Sequence, residues 1–253
     1  MLFRNVPIVI SSPSQPRGVV ESVRDRPSLV IATPGAEPRV VGSGVDGNKA
    51  DTDDPDLPRL SRGYRAVAIL DAWTSLYAPG IDARMDTLGA WMRVASFCRS
   101  RAQGGQVLLL GECDPQLAQA LMTWQGPVLA AADLEDRRLT AMPPAVGMAA
   151  IWGEREAVVW MLDAVGIVPG QEAVTDAGTE PVPALLGPVP IPAPSTLKAG
   201  YLEGTQDRVR ALVRVPTSRR DKLADDLKRA QARYVAGRGR GELRFRMDPK
   251  DLT

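Results

Sequence analysis

The chain of 253 residues has no histidine and only two cysteines, Cys98 and Cys113. Without an imidazole base, a Ser-His-Asp or Cys-His catalytic group cannot be built. Two thiols are also too few for a structural zinc site, which takes about four Cys or His ligands. We therefore expect no catalytic residue of these classes, no metal site and two reduced cysteines, since a Cys98–Cys113 disulfide would need an oxidising compartment.

Long apolar runs are also absent from the sequence. A membrane-spanning helix needs roughly 18 or more consecutive apolar residues, so we expect no contact with a membrane. The first residues, MLFRNVPIVISSPSQP, contain too short an apolar core for a signal peptide, and a cytoplasmic location is expected.

Charge is unevenly distributed along the chain. The formal net charge is +1, yet residues 208–250 carry fourteen Lys and Arg against five Asp and Glu. Such a basic region favours a polyanion or an acidic peptide as its partner. The alternative is a solvated surface with ordinary arginine content.

The first half of the chain has the pattern of an α/β fold. Apolar runs predict strands at 6–11, 28–33, 66–71 and 106–111. The run at 66–71 is typical of a parallel strand covered on both faces. Asp82 is expected to cap the helix that joins the last two strands, which makes a βαβ unit. The apolar stripe of this helix is predicted to contain Met85, Leu88, Trp91, Met92, Ala95 and Cys98.

Further helices are predicted at 115–124, opened by Asp114-Pro115, and at 129–140, where Glu135, Asp136, Arg137 and Arg138 suggest a salt-bridged surface. Residues 40–63 lack apolar periodicity and predict a loop. The GSG at 42–44 is a poor phosphate loop because it lacks the lysine and the following helix.

The second half predicts another α/β layer. Strands are expected at 148–153, 208–215 and 242–247, and helices at 154–166 and 218–236. Residues 182–194 contain too much proline for a central strand. In 208–215 the valines and Ala211 alternate with Arg208, Arg210 and Arg214, so the arginines share one face.

Four segments, taken in order, resemble the bacterial primosomal replication-restart family, primosomal protein N′ or PriA. They are LEDRRLTAMPPAV (134–146), LLGPVPIPAP (185–194), RALVRVP (210–216) and LRFRMDPKDL (243–252). The resemblance implies an α/β protein with part of a RecA-like parallel-sheet helicase lobe at 1–140, interrupted by a disordered insertion at 41–63. A PriA-like C-terminal domain would follow at 146–253.

The family's ATPase motifs are degenerate in this sequence. ATPGAEPRV (32–40) keeps Thr33 of one motif but not its glutamine and lysine. RVASFCRS (93–100) aligns with the family's QVAGRAGR, so Phe97 and Ser100 replace the two arginines that stabilise phosphate charge. Arg99 and Arg101 lie beside those places, at what we interpret as the end of the preceding helix. The resemblance therefore implies neither ATP turnover nor zinc binding here, although the full-length family uses both.

The resemblance still implies a binding function. It implies forked or single-stranded DNA, the acidic tail of single-stranded-DNA-binding protein and other primosome proteins as partners. The candidate residues are Arg208, Arg210, Arg214, Arg219, Arg220, Lys222, Arg244 and Arg246. Two alternatives stay open: the arginine stems pack under a covered sheet face, or the chain is a non-functional remnant or structural module. Because the family's upstream domains do not fit within 253 residues, we expect a gene fragment or a shortened homologue.

Overall fold

The computed structural model describes residues 6–41, 63–173, 181–192, 207–239 and 241–251. The chain divides into two compact units, residues 1–129 and residues 130–253, and each is described by itself. The division falls within a helix, earlier in the chain than the predicted junction at 140–146. The predicted loop and insertion at 40–63, with its GSG, lies almost entirely outside the described residues.

The described residues of the first unit form three parallel strand pairs. Strands β1 (Ile8–Ser11), β2 (Ser22–Arg24), β3 (Leu29–Ala32) and β4 (Arg39–Val41) form the pairs β1–β3 and β2–β4. Strand β5 (Ala66–Ile69) pairs directly with β6 (Gln106–Leu109), and helix α1 (Ala83–Ala95) lies between these two strands in the chain. The strands and the βαβ unit expected from the apolar runs are confirmed, whereas the RecA-like assignment stays a prediction.

The core of this unit lies on one side of the β5–β6 pair. Helix α1, helix α2 (Pro115–Thr123) and helix α3 (Gly126–Leu139) contribute the buried side chains of Leu88, Trp91, Leu117, Ala120, Leu121 and Leu129. Leu70, Val107 and Leu108 are exposed. The expectation that 66–71 is covered on both faces is therefore wrong for the described residues, which pack apolar side chains against one face only.

The two helix caps differ. The Asp114 carboxylate accepts a hydrogen bond from the Gln116 amide at 2.8 Å, as its position before Pro115 predicts. Asp82 occupies the N-cap position of α1, but its side chain makes no capping hydrogen bond. Its backbone, at φ −93° and ψ 4°, is not in the extended conformation that N-cap residues usually adopt.

The second unit is built on a four-stranded antiparallel sheet. Its elements are β7 (Gly147–Glu154), α4 (Arg155–Ala164), β8 (Glu172–Ala173), β9 (Val182–Pro183), β10 (Leu185–Pro190), β11 (Arg208–Val215), α5 (Arg220–Ala236) and β12 (Leu243–Met247). The strand order is β10-β11-β7-β12, and β8 pairs separately with β9. Ala149, Ile151, Val209, Ala211 and Val213 face α4 and α5 and form the core with Val158, Met161, Leu223, Leu227 and Ala230.

The proline-rich segment forms the edge strand β10, as its composition predicts. A bulge interrupts its pairing with β11 between Leu186 and Val189. Gly187 stands in the bulge at φ +90°, and a Cβ at this position would lie 2.8 Å from the Arg210 carbonyl oxygen. The glycine of LGPVP is therefore required for the close approach of the two backbones.

The described helices are all too short or too polar to cross a membrane. Cys98 and Cys113 are free thiols, as expected.

Candidate nucleic-acid interface

The face of the sheet opposite α4 and α5 carries a row of four side chains, one from each strand. The register pairs Val189 with Arg210, Arg210 with Trp152, and Trp152 with Arg244. Directly opposed residues of antiparallel strands point to the same face with Cβ atoms about 4.5–5.5 Å apart. The indole of Trp152 is therefore flanked by an arginine on each side.

This row is accessible from solvent. The Arg244 side chain is 68% exposed and Val189 is 52% exposed, while Trp152 and Arg210 are partly exposed. The next row across the sheet consists of Leu186, Leu212, Ala150 and Arg246. Arg246 is exposed, and in the part of the chain that the structure describes no carboxylate pairs with it. Ala150 is buried, so the second row offers Arg246 together with the partly exposed side chains of Leu186 and Leu212.

Arg208 and Arg214, at the two ends of β11, are buried, with 7% and 6% of their surface exposed. The Arg208 guanidinium donates to the Glu242 carboxylate at 2.8 Å and to the Pro192 carbonyl at 2.7 Å. That of Arg214 donates to the Pro183 carbonyl at 2.8 and 3.0 Å. Their assignment to an exposed binding surface is thus corrected, because backbone carbonyls and an acid occupy their donors.

The start of α5 carries the other predicted cations, Arg219, Arg220 and Lys222, and all three are exposed. Arg220 forms ion pairs with Asp248 at 2.6 Å and Asp221 at 3.2 Å. Lys222 pairs with Asp226 at 2.6 Å. Among the described residues, Arg219 has no side-chain partner, so it is the one cation of the three that is not offset by an acid.

Internal acids also neutralise part of the neighbouring charge. Hydrogen bonds from Lys222 and Arg229 lower the pKa of Asp226, which therefore stays ionised. Glu242 contacts Arg208 and also lies 3.2 Å from the Arg244 side chain. The excess of positive charge in 208–250 is consequently smaller at the surface than in the sequence.

The sheet that carries these rows lies within a recognised domain. The family model for the primosomal protein N C-terminal domain matches residues 138–250. The chain is 31% identical to the probable replication restart protein PriA of Mycobacterium leprae (strain TN) over 247 residues, which are 98% of this chain and 32% of that protein. The chain belongs to the PriA family.

A second PriA relative, the probable replication restart protein PriA of Mycobacterium tuberculosis (strain ATCC 25618 / H37Rv), is 31% identical over 203 residues, 80% of this chain and 27% of that protein. The chain thus spans about a third of the length of the PriA relatives it matches. All the side chains of the two sheet rows fall within the matched domain.

The residues that the resemblance aligned with the family's ATPase motif lie in the first unit, beyond a helix rather than at its end. Helix α1 stops at Ala95, and Phe97 and Arg99 exchange backbone hydrogen bonds with Tyr64. The expectation of an arginine-bearing helix end is therefore wrong, because residues 97–99 follow the extended chain at Tyr64. Arg99 donates to the Gly63 carbonyl at 3.0 Å and pairs with Asp25 at 3.2 Å.

The other residues that the sequence analysis assigned to degenerate ATPase motifs are not gathered around Arg99. Ser100 contacts Gln103 at 3.1 Å through its hydroxyl, and Arg101 is exposed at the start of a short 3₁₀ turn. Thr33 is exposed directly after β3. A cavity of 330 Å³ in this unit is lined instead by Ala78, Gly80, Ile81, Ala83, Arg84, Asp114 and Leu117.

The sequence-based predictions did not single out Trp152, the central member of the first row. Because adjacent residues of a strand point to opposite faces, the strand predicted at 148–153 implies that Trp152 lies on the other face from Ile151, which is buried in the core. Its arginine neighbours come from strands about 60 and 90 positions further along, and only the strand register brings the three together.

The predicted salt-bridged surface of α3 is confirmed by the pair Glu135–Arg138 at 3.1 Å.

Proposed function

We propose that this chain acts in replication restart by binding forked or single-stranded DNA, without helicase activity. The observation that carries the proposal is the set of Arg210, Arg244 and Arg246 on the sheet face opposite α4 and α5, within the matched domain. Guanidinium groups bind phosphate oxygens through planar, bidentate hydrogen bonds. The names of the relatives, replication restart proteins, support the same role.

The absence of helicase activity is supported by the aligned motif. Phe97 and Ser100 cannot stabilise the charge on a transferred phosphate as two arginines do. The neighbouring Arg99 is engaged with Asp25 and the Gly63 carbonyl. ATP and zinc are accordingly not proposed as cofactors.

The binding test is fluorescence anisotropy of a labelled fork titrated with the full chain between about 50 and 200 mM salt. We expect log K to fall linearly with log salt, with a slope of about −2 to −3 for roughly three phosphate contacts. R246Q should flatten the slope by about one unit, whereas R233Q, which removes the same charge from the exposed surface of α5, should leave it unchanged. Absence of any binding at the lowest salt would contradict the proposal and favour a module that keeps only the fold.

The proposed absence of helicase activity is tested by measuring phosphate release from ATP with and without forked DNA. We expect equal background rates in both. A rate that DNA stimulates would overturn the assignment of a non-catalytic protein.

We also propose the start of α5 as the site for the acidic tail of single-stranded-DNA-binding protein. Arg219 presents its guanidinium beside the N-terminus of α5, where the helix dipole favours anions. A labelled tail peptide should bind the wild-type chain and lose most of its affinity with R219Q, while R233Q serves as the charge-matched control. Equal affinity of all three chains would refute this assignment.

A further inference from the structure

We infer that Trp152 is a stacking platform for one unpaired base of a single-stranded nucleic acid, with phosphates held by the arginines on either side. This inference rests on the proposed function and deepens it by naming the site and the form of DNA that it takes. Aromatic side chains bind bases without sequence preference because every base has a π-face. A duplex hides those faces by stacking its own bases, so the partly exposed indole of Trp152 selects single strands.

The geometry of the row supplies both parts of such a site. Trp152 is the central member, with Arg210 on β11 and Arg244 on β12 as its cross-strand neighbours. Strands lie about 4.7–4.9 Å apart, so both guanidinium groups can reach past the edges of the indole. Val189, opposite Arg210 on the edge strand, extends the row with an exposed apolar group.

The backbone around the indole is tightly constrained. Gly153 stands next to Trp152 at φ +149°, and a Cβ there would lie 1.8 Å from the Glu242 carbonyl oxygen. This close approach allows β12 to pair with β7, which places Arg244 beside the indole. At the two ends of β11, buried Arg208 and Arg214 tie the sheet to the Pro192 and Pro183 carbonyls. The site is thus built on rigid elements, which lowers the ordering cost of binding.

Charge around the row is asymmetric. Glu154 lies opposite Arg208, and Glu242 contacts both Arg208 and Arg244, so acidic groups cluster at one end of the face. Toward the other end lies Arg246, which no described carboxylate offsets. A phosphate backbone is therefore expected to leave the indole on the Arg246 side, away from the two carboxylates.

The inference is tested with the full chain and three labelled probes: a single-stranded oligonucleotide, the same strand with abasic sites, and a duplex. Loss of base stacking, at about 1–3 kcal/mol per base, corresponds to about a 5- to 140-fold rise in Kd. We expect W152A to bind the single strand weaker by this factor and W152F to recover most of the loss. The salt slope of W152A should stay at the wild-type value, because its phosphate contacts remain.

The abasic strand and the duplex test the inference with the wild-type protein, without any substitution in the chain. Wild-type protein should bind the abasic strand and the duplex more weakly than the intact strand, and W152A should not distinguish intact from abasic. If the wild-type chain binds intact and abasic strands equally, the inference is wrong, even when W152A fails to fold. If the wild-type chain binds no probe, the proposed function itself fails, so the two failures are distinguishable.

Discussion

Replacing Arg214 by alanine should destabilise the second unit by about 2–4 kcal/mol. The guanidinium is buried and donates twice to the Pro183 carbonyl, at 2.8 and 3.0 Å, and once to the Thr140 carbonyl at 3.4 Å. No carboxylate of the described residues pairs with it. Burial lowers the pKa of Arg214, yet an arginine remains protonated at neutral pH.

The expected magnitude follows from three contributions. A hydrogen bond from a charged donor contributes about 1.5–3 kcal/mol, and an orphaned buried carbonyl costs about 1–3 kcal/mol. Deleting the aliphatic stem adds a void, whose cost is on the order of 1 kcal/mol. Removing a buried charge recovers part of its desolvation energy, which keeps the net value at the lower end of the sum. R214M keeps the stem and should therefore cost less, about 1–3 kcal/mol.

The assay is urea unfolding of the full chain, followed by circular dichroism and tryptophan fluorescence. We expect the midpoint of the second unit to fall in the order wild type, R214M, R214A, with unchanged m values. R233Q, an exposed change of equal charge, should lie within about 0.5 kcal/mol of wild type. An R214M chain more stable than wild type would refute the reasoning, because the buried charge would then cost more than its hydrogen bonds contribute.

Two further changes test the backbone and the titration of the chain. G153A should destabilise the second unit by about 1–3 kcal/mol or more, because a Cβ would lie 1.8 Å from the Glu242 carbonyl, whereas G89A meets no atom within 4 Å inside α1 and should gain about 0.5–1 kcal/mol. A second-unit urea midpoint for G153A equal to that of wild type would contradict the close packing of β7 and β12. Burial, with a smaller effect from Glu37, raises the pKa of Tyr64 to about 12, and its hydroxyl donates to the Pro38 carbonyl at 2.7 Å. The stability contributed by this raised pKa is therefore complete below about pH 10 and is lost as pH rises through 12. An ultraviolet titration should show a late tyrosinate transition that Y64F removes, and an unchanged titration in Y64F would count against it.

Local patterns in the sequence were sufficient for most secondary structure. Period-two alternation identified the strands at 208–215 and 242–247, and the proline content of 182–194 excluded it from the sheet centre. The Asp114-Pro115 pair marked the start of α2. These signals depend on neighbours within a few positions in the sequence, so they can be read without knowledge of the fold.

The end of α1 shows where local patterns fail. The apolar stripe continues to Cys98, but the helix stops at Ala95 because the backbone of 97–99 pairs with Tyr64, more than 30 positions away. Asp82 is a residue type that commonly caps helices and occupies the N-cap position of α1. Its backbone is not extended, however, and its side chain makes no capping hydrogen bond. Both outcomes depend on contacts or conformations that residue identity does not specify.

The sequence by itself determined that Arg208, Arg210 and Arg214 share one face of a strand, because side chains alternate with a period of two. Only the tertiary structure decided that the outer two are buried under backbone carbonyls while the central one stands beside Trp152. Alternation states which side chains lie together but not what covers them. Coverage and cross-strand neighbours depend on the strand register, which joins residues that are far apart in the chain.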